Sequence, residues 1–127
     1  MDFSFSQEQK DYKKEIINFA RENLNDEKYL EEYNEEMWKK VSEFGLLGLN
    51  IGEEYGGLNE NYQTAATVYE TLGYACKNNG FIFVINNHVW VSQNIIYLYG
   101  SKQLKDKYIP SMITGEKKGA IAITEAN

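Results

Sequence analysis

The chain holds one cysteine, one proline and one histidine in 127 residues. A lone cysteine, Cys76, excludes an internal disulfide and points to a reducing compartment, read here as the cytoplasm. With one histidine, His88, there is no Cys or His pair at metal-ligand spacing. No glycine-rich dinucleotide fingerprint, phosphate-binding Walker loop or nucleophile elbow occurs. Apolar runs are short: the longest, residues 81–85, is far below bilayer length, so no membrane span is expected. Met1-Asp2-Phe3-Ser4 carries neither the basic start nor the apolar run of a signal peptide. Basic residues are also scarce, 13 against 19 acidic, for a net charge of −6. That balance argues against nucleic acid and against an anionic membrane surface as partners.

What is present is enough apolar material for a core. Hydrophobic residues make up 43% of the chain and aromatics 14%, which rules out wholesale disorder. The length fits one domain. Apolar residues recur at helical spacing and predict an all-α body. Ser6 and Gln9 read as a capping box opening a first helix, with Tyr12, Ile16, Phe19 and Ala20 along one stripe. The helix should end near residues 23–25. Asn34, followed by Glu35 and Glu36, reads as the cap of a short second helix that points Trp38 and Val41 inward, with Gly45 as its stop. The acidic, tyrosine-rich stretch at residues 26–36 reads as a solvated loop and helix start rather than as an interaction face for a basic partner. A turn around Gly56 and Gly57 leads to a third helix at about residues 61–77, with Ala65, Val68, Tyr69, Leu72 and Cys76 inward. A fourth helix over about 81–99 is apolar on nearly every side, the mark of a helix in the middle of an assembly. Gly100 and Ser101 close it and cap a helix over about 102–107, and Pro110 suits the start of one more short helix stopped by Gly115. Residues 119–127 read as a strand without a partner, the start of a sheet that a longer chain would complete.

Taken singly, the reactive residues read blandly. His88 lies on a helix too apolar to suggest a general base and reads as a hydrogen-bonded core or pocket-wall residue. Cys76 reads as a small buried hydrophobe, and Trp38 and Trp90 as core.

The order of segments says more. Trp38-Lys39-Lys40-Val41-Ser42-Glu43-Phe44-Gly45-Leu46-Leu47-Gly48-Leu49 is followed by Glu53-Glu54-Tyr55-Gly56-Gly57-Leu58 and Val68-Tyr69-Glu70-Thr71-Leu72-Gly73. Then come Tyr99-Gly100-Ser101-Lys102-Gln103-Leu104-Lys105-Asp106-Lys107-Tyr108-Ile109-Pro110, Thr114-Gly115-Glu116 and Ile123-Thr124-Glu125. In register, this series resembles the N-terminal α-domain of the acyl-CoA dehydrogenase family, flavoenzymes that desaturate acyl thioesters. The resemblance covers nearly the whole chain. It implies a helical-bundle domain at residues 1–118 and the start of a flavin-binding β-domain at 119–127.

Several roles follow from the resemblance alone. The cofactor is FAD, touched by the backbone at Ile121 and Ile123 and by the Thr124 hydroxyl. Phe83, Asn87 and Val91 wall the deep end of the acyl pocket; Phe83 would shorten it and Asn87 would make it partly polar. Glu125 matches a position near the flavin but is not the catalytic base, which the family carries in a later C-terminal domain. Ala126 stands where proline is common. The implied partners are an acyl thioester substrate, the remaining dehydrogenase domains and a second copy in a homo-oligomer. The segments at residues 73–83 and 87–90 are closer to a branch that acts on groups carried by an acyl carrier protein. The chain alone is then expected to be inactive and to hold FAD weakly. The alternative is a free-standing helical module that binds an acyl carrier protein or a dehydrogenase partner.

Overall fold

Helices begin in this chain wherever a short oxygen-bearing side chain precedes an apolar stripe. The structure, a computed structural model, describes residues 4–124. Ser6 Oγ accepts from the Gln9 N–H at 3.1 Å while Gln9 Oε1 accepts from the Ser6 N–H at 3.0 Å, and this reciprocal pair opens α1 (Gln7–Asn23). Asn34 caps α2 (Glu35–Glu43), Asn61 caps α3 (Tyr62–Ala75), Asn78 caps α4 (Asn79–Asn86) and Ser101 caps α6 (Lys102–Ile113), each by accepting from an N–H of the first turn. Such caps are each worth about 1 kcal/mol. Gly45, at φ +87°, carries the chain out of α2.

Between α4 and α6 the chain stays helical. α4 runs into a π-helical segment (Asn87–Gln93) and then α5 (Asn94–Tyr99), with right-handed helical backbone at both junctions. The three form one rod. The side-chain amides of Asn86 and Asn87 donate to the carbonyls of Ile82 and Phe83, a competition that loosens an α-ladder at the entry to the π segment.

α1 packs along α3, α3 meets α4, and α5 lies against α6. Ile16, Phe19 and Ala20 of α1 meet Ala65, Val68, Tyr69, Leu72 and Cys76 of the α3 region in one core, which Met37, Trp38 and Val41 of α2 and Phe81, Ile85 and Val89 of the rod complete. Two asparagines tie the loops to it. Asn25 donates to Ala75 O and accepts from the Lys77 N–H, both at 2.8 Å. Asn78 Nδ2 donates to Tyr29 O at 2.6 Å while its Oδ1 caps α4.

The all-α body predicted from periodicity is present, with three differences in detail. The expected fourth helix is buried on one side only. Its other side exposes Phe83 (71%), Leu98 (50%) and Tyr99 (83%), because nothing in the described chain covers it. The two short helices expected on either side of Pro110 are one, α6, with Pro110 inside it. Proline removes a bond to the carbonyl of Asp106, and both residues lie on the solvent side, where water can replace the lost donor. Third, residues 119–124 form no ladder, and among the described residues there is no strand. Backbone of extended shape cannot make a sheet without a neighbour. Glu125, Ala126 and the end of the expected strand lie outside the described residues.

Leu72, 1% exposed between α1 and α3, carries the core directly. Leu72→Ala is expected to cost about 2–5 kcal/mol in urea unfolding with unchanged m-value. Phe83→Ala, at a 71% exposed position, is expected to stay within about 0.5 kcal/mol.

Candidate functional site

The segment that follows α6 is fastened to the helical body and then released. Gly115, at φ +77°, turns the chain out of α6, and the indole N–H of Trp38 donates to its carbonyl at 2.9 Å. Lys118 reaches back to Glu35 at 2.8 Å and lies over the Trp38 ring at 5.5 Å. This pair lies at the surface, and each partner favours the charged form of the other: hydrogen bonding to Lys118 lowers the Glu35 carboxyl, and the same bond raises the Lys118 ammonium.

His88 is the deeper fastening. It is fully buried, edge-on to Trp38 with ring centroids 4.9 Å apart. Its Nε2 lies 3.0 Å from the Met112 carbonyl and its Nδ1 accepts the Gly119 N–H at 3.0 Å. An amide N–H can only donate and a carbonyl can only accept, so Nδ1 is bare, Nε2 carries the proton, and the ring is neutral. Burial holds the imidazole pKa below its ordinary 6.5, Lys118 pushes the same way, and the bond to Met112 opposes them. Gly119 itself passes so close to the rod that an added Cβ would come within 2.3 Å of Ser92 Cβ and 2.8 Å of Met112 Cε.

Beyond Gly119 the chain is exposed. Ile121 is 43% and Ile123 75% exposed, and Thr124 is exposed as well. The backbone groups of residues 120–124 make no hydrogen bond to the rest of the described chain. A segment with free N–H, C=O and hydroxyl groups thus starts from a fixed point.

The residues named from sequence as pocket wall all belong to the rod. Phe83 is largely exposed, Asn87 and Val91 are half-buried, and the Asn87 amide donates to Phe83 O at 3.0 Å. They and the tail residues occupy the described surface without meeting in a bond. Cys76 is 4% exposed, and burial pushes its thiol up, as suits an inert core side chain. Trp90 is half-buried with its ring edge-on to Tyr69 at 5.4 Å. Sequence reasoning missed that Trp38 and His88 grip the tail. Neither periodicity nor spacing signals a bond from residue 88 to residue 119; the close approach of Gly119 to Ser92 is visible only in three dimensions.

A neutral buried His88 makes stability depend on pH with a definite sign. Its native pKa lies below the unfolded value, so the unfolded chain binds more protons in between. The contribution is complete above the ordinary value of 6.5 and is lost as pH falls below it toward the lowered native value. The melting temperature is expected to fall between pH 7 and pH 5.5, ahead of the ordinary carboxylate range. The drop should be absent in His88→Asn. Thermal melts followed by circular dichroism at stepped pH measure this directly.

Comparison with known proteins gives the arrangement a context. A family model described as "Acyl-CoA dehydrogenase, N-terminal domain" matches residues 6–116. The mitochondrial isovaleryl-CoA dehydrogenase of Solanum tuberosum is 31% identical over 131 aligned residues, which cover 97% of this chain and 31% of that protein. Among solved structures, the prolyl acyl carrier protein oxidase AnaB superposes with a TM-score of 0.84 at 33% identity, covering 91% of this chain and 32% of AnaB. PigA, solved with FAD and proline, superposes with a TM-score of 0.80 at 29% identity, covering 91% of this chain and 31% of PigA. The chain thus spans about a third of the length of these relatives. A family match across most of the chain, on the same helical order in space, shows that it belongs to the acyl-CoA dehydrogenase family as an N-terminal helical domain.

Proposed function

We propose that this chain is the N-terminal domain of an FAD-dependent dehydrogenase that introduces an α,β double bond into acyl thioesters. The observation that carries the reading is the exposed segment at residues 120–124, anchored at Gly119 and with its backbone groups free. A flavin ring edge is polar and planar, and an anchored extended segment suits it. In this reading the backbone at Ile121 and Ile123 and the hydroxyl of Thr124 hold one edge of the flavin. When bound, FAD supplies the hydride acceptor. The chain's own part is to orient that edge and to shield it with apolar side chains.

Phe83, Asn87 and Val91 form part of the wall of the acyl pocket. Phe83 limits its depth, and the Asn87 amide gives it a polar point. The thioester is carried on coenzyme A or on an acyl carrier protein, chemistries that appear in the names of the dehydrogenase from Solanum tuberosum and of AnaB respectively. No carboxylate of this chain serves as base, and Glu125 is not one. The chain by itself is therefore inactive. The uncovered apolar side chains of the rod, Phe83, Ile95, Leu98 and Tyr99, suit contact with the remaining domains or with a second copy.

The test is the intact mass and visible spectrum of the protein purified from its natural source. A flavin spectrum on a polypeptide about three times this length is expected, from the one-third coverage of the relatives. A colourless protein of the present length would overturn the proposal and favour a helical interaction module. The chain alone should bind FAD weakly or not at all, and tight stoichiometric binding by it would count against the reading. Thr124→Val in the whole protein should weaken flavin retention by about tenfold, read by dialysis, as expected for one lost hydrogen bond.

A further inference from the structure

We propose that His88 is a positioning residue for the flavin edge, acting through the backbone of Gly119 to set where residues 120–124 leave the helical body. The inference rests on the flavin-edge reading of Ile121, Ile123 and Thr124. The geometry behind it is independent of that reading.

Three features single out His88. It is fully buried on the rod, yet both ring nitrogens are used, and neither bond stays within its own helix: one goes to Met112 at the end of α6 and the other to Gly119 in the tail. The ring is wedged edge-on against Trp38, whose own N–H holds Gly115, so it cannot rotate without breaking the contact. Gly119 has no room for a side chain against Ser92 and Met112, so the amide that His88 accepts from is pinned from the other side too. Ile121, the first of the flavin-edge residues, follows only two positions later. Of the elements around the ring, α2 presents Trp38 and α6 presents the Met112 carbonyl, neither of them titratable. The tail presents Lys118, paired with Glu35 of α2. Protonating Nδ1 would turn the acceptor for Gly119 into a second donor facing a donor, and that bond would be lost.

Two substitutions separate positioning from mere filling of space. Asn at position 88 places an amide oxygen near the imidazole Nδ1 and can keep the Gly119 bond. Gln reaches toward the Nε2 position and can keep only the Met112 bond. Amide hydrogen exchange and nitrogen-15 spectra of the chain are the readout. In the unmodified chain and in H88N, the Gly119 amide should be protected and the Ile121 and Ile123 amide shifts alike. In H88Q the Gly119 amide should exchange about tenfold faster, with the Ile121 and Ile123 shifts moved. Equal protection in the two variants, or an unprotected Gly119 in the unmodified chain, would overturn the proposal.

An acid titration of the unmodified chain needs no variant. The His88 ring signals and the Gly119, Ile121 and Ile123 amides should move on one curve with a midpoint below 6.5, while Ala65 in α3 stays still. Tail amides that ignore the His88 titration would count against the proposal. None of these measurements involves flavin, so they stand or fall apart from the proposed function. In the whole flavoprotein, H88Q should raise the FAD dissociation constant about tenfold, with H88N closer to the unmodified protein. Absence of flavin there would sink the functional reading; flavin held equally by both variants would sink the positioning role.

Discussion

Trp38 and His88 meet edge to face in the interior, and α2, the rod, the end of α6 and the tail meet around that contact. Each ring gives its polar group to another part of the chain. Trp38 holds Gly115; His88 holds Met112 and Gly119. A buried donor or acceptor left without a partner costs about 1–3 kcal/mol, so α2, the rod, α6 and the tail cannot move independently. Shifting any one strands a polar group that water cannot reach. The neutral state of the imidazole is part of the same constraint, since only that state has one donor and one acceptor to offer.

The rest of the domain is one-sided. The inner side of the rod, through Phe81, Ile85 and Val89, joins the core built by α1 and α3. The outer side leaves Phe83, Ile95, Leu98 and Tyr99 in solvent. Large apolar side chains on a continuous helix are the kind of surface that other protein covers. The tail leaves the body with Ile121 and Ile123 exposed as well. The π segment lies in the middle of this rod, and π turns in helices are frequent at functional sites. The amide of Gln93 at its end is fully buried with no protein partner, a cost that the surrounding packing must exceed.

Much of this was legible in the residues. The caps at Ser6, Asn34 and Ser101 are local chemistry: a side-chain oxygen meets an N–H two or three positions on, so sequence alone places them. The inward face of α3 follows from the period of the helix, and Ala65, Val68, Tyr69, Leu72 and Cys76 are all buried. Segment order was enough to place the chain in its family. Less legible was the end of α6. Pro110 usually marks a helix start, and here it sits inside one because it and Asp106, whose carbonyl loses its donor, lie on the solvent side of α6. The apolar character of residues 81–99 was plain, but hydrophobicity does not say which side is covered inside this chain and which is left bare.

The sequence by itself determined the capped helix starts, the inward faces of α2 and α3 and the family, because these depend on contacts within a few residues or on the order of segments. It could not determine that residue 88 holds residue 119, nor that Gly119 must lack a side chain to pass Ser92. Those relations join parts of the chain far apart in sequence, and no local spacing encodes them. Only the packing of α2, the rod and α6 into one body brings them within 3.0 Å and fixes which ring nitrogen carries the proton.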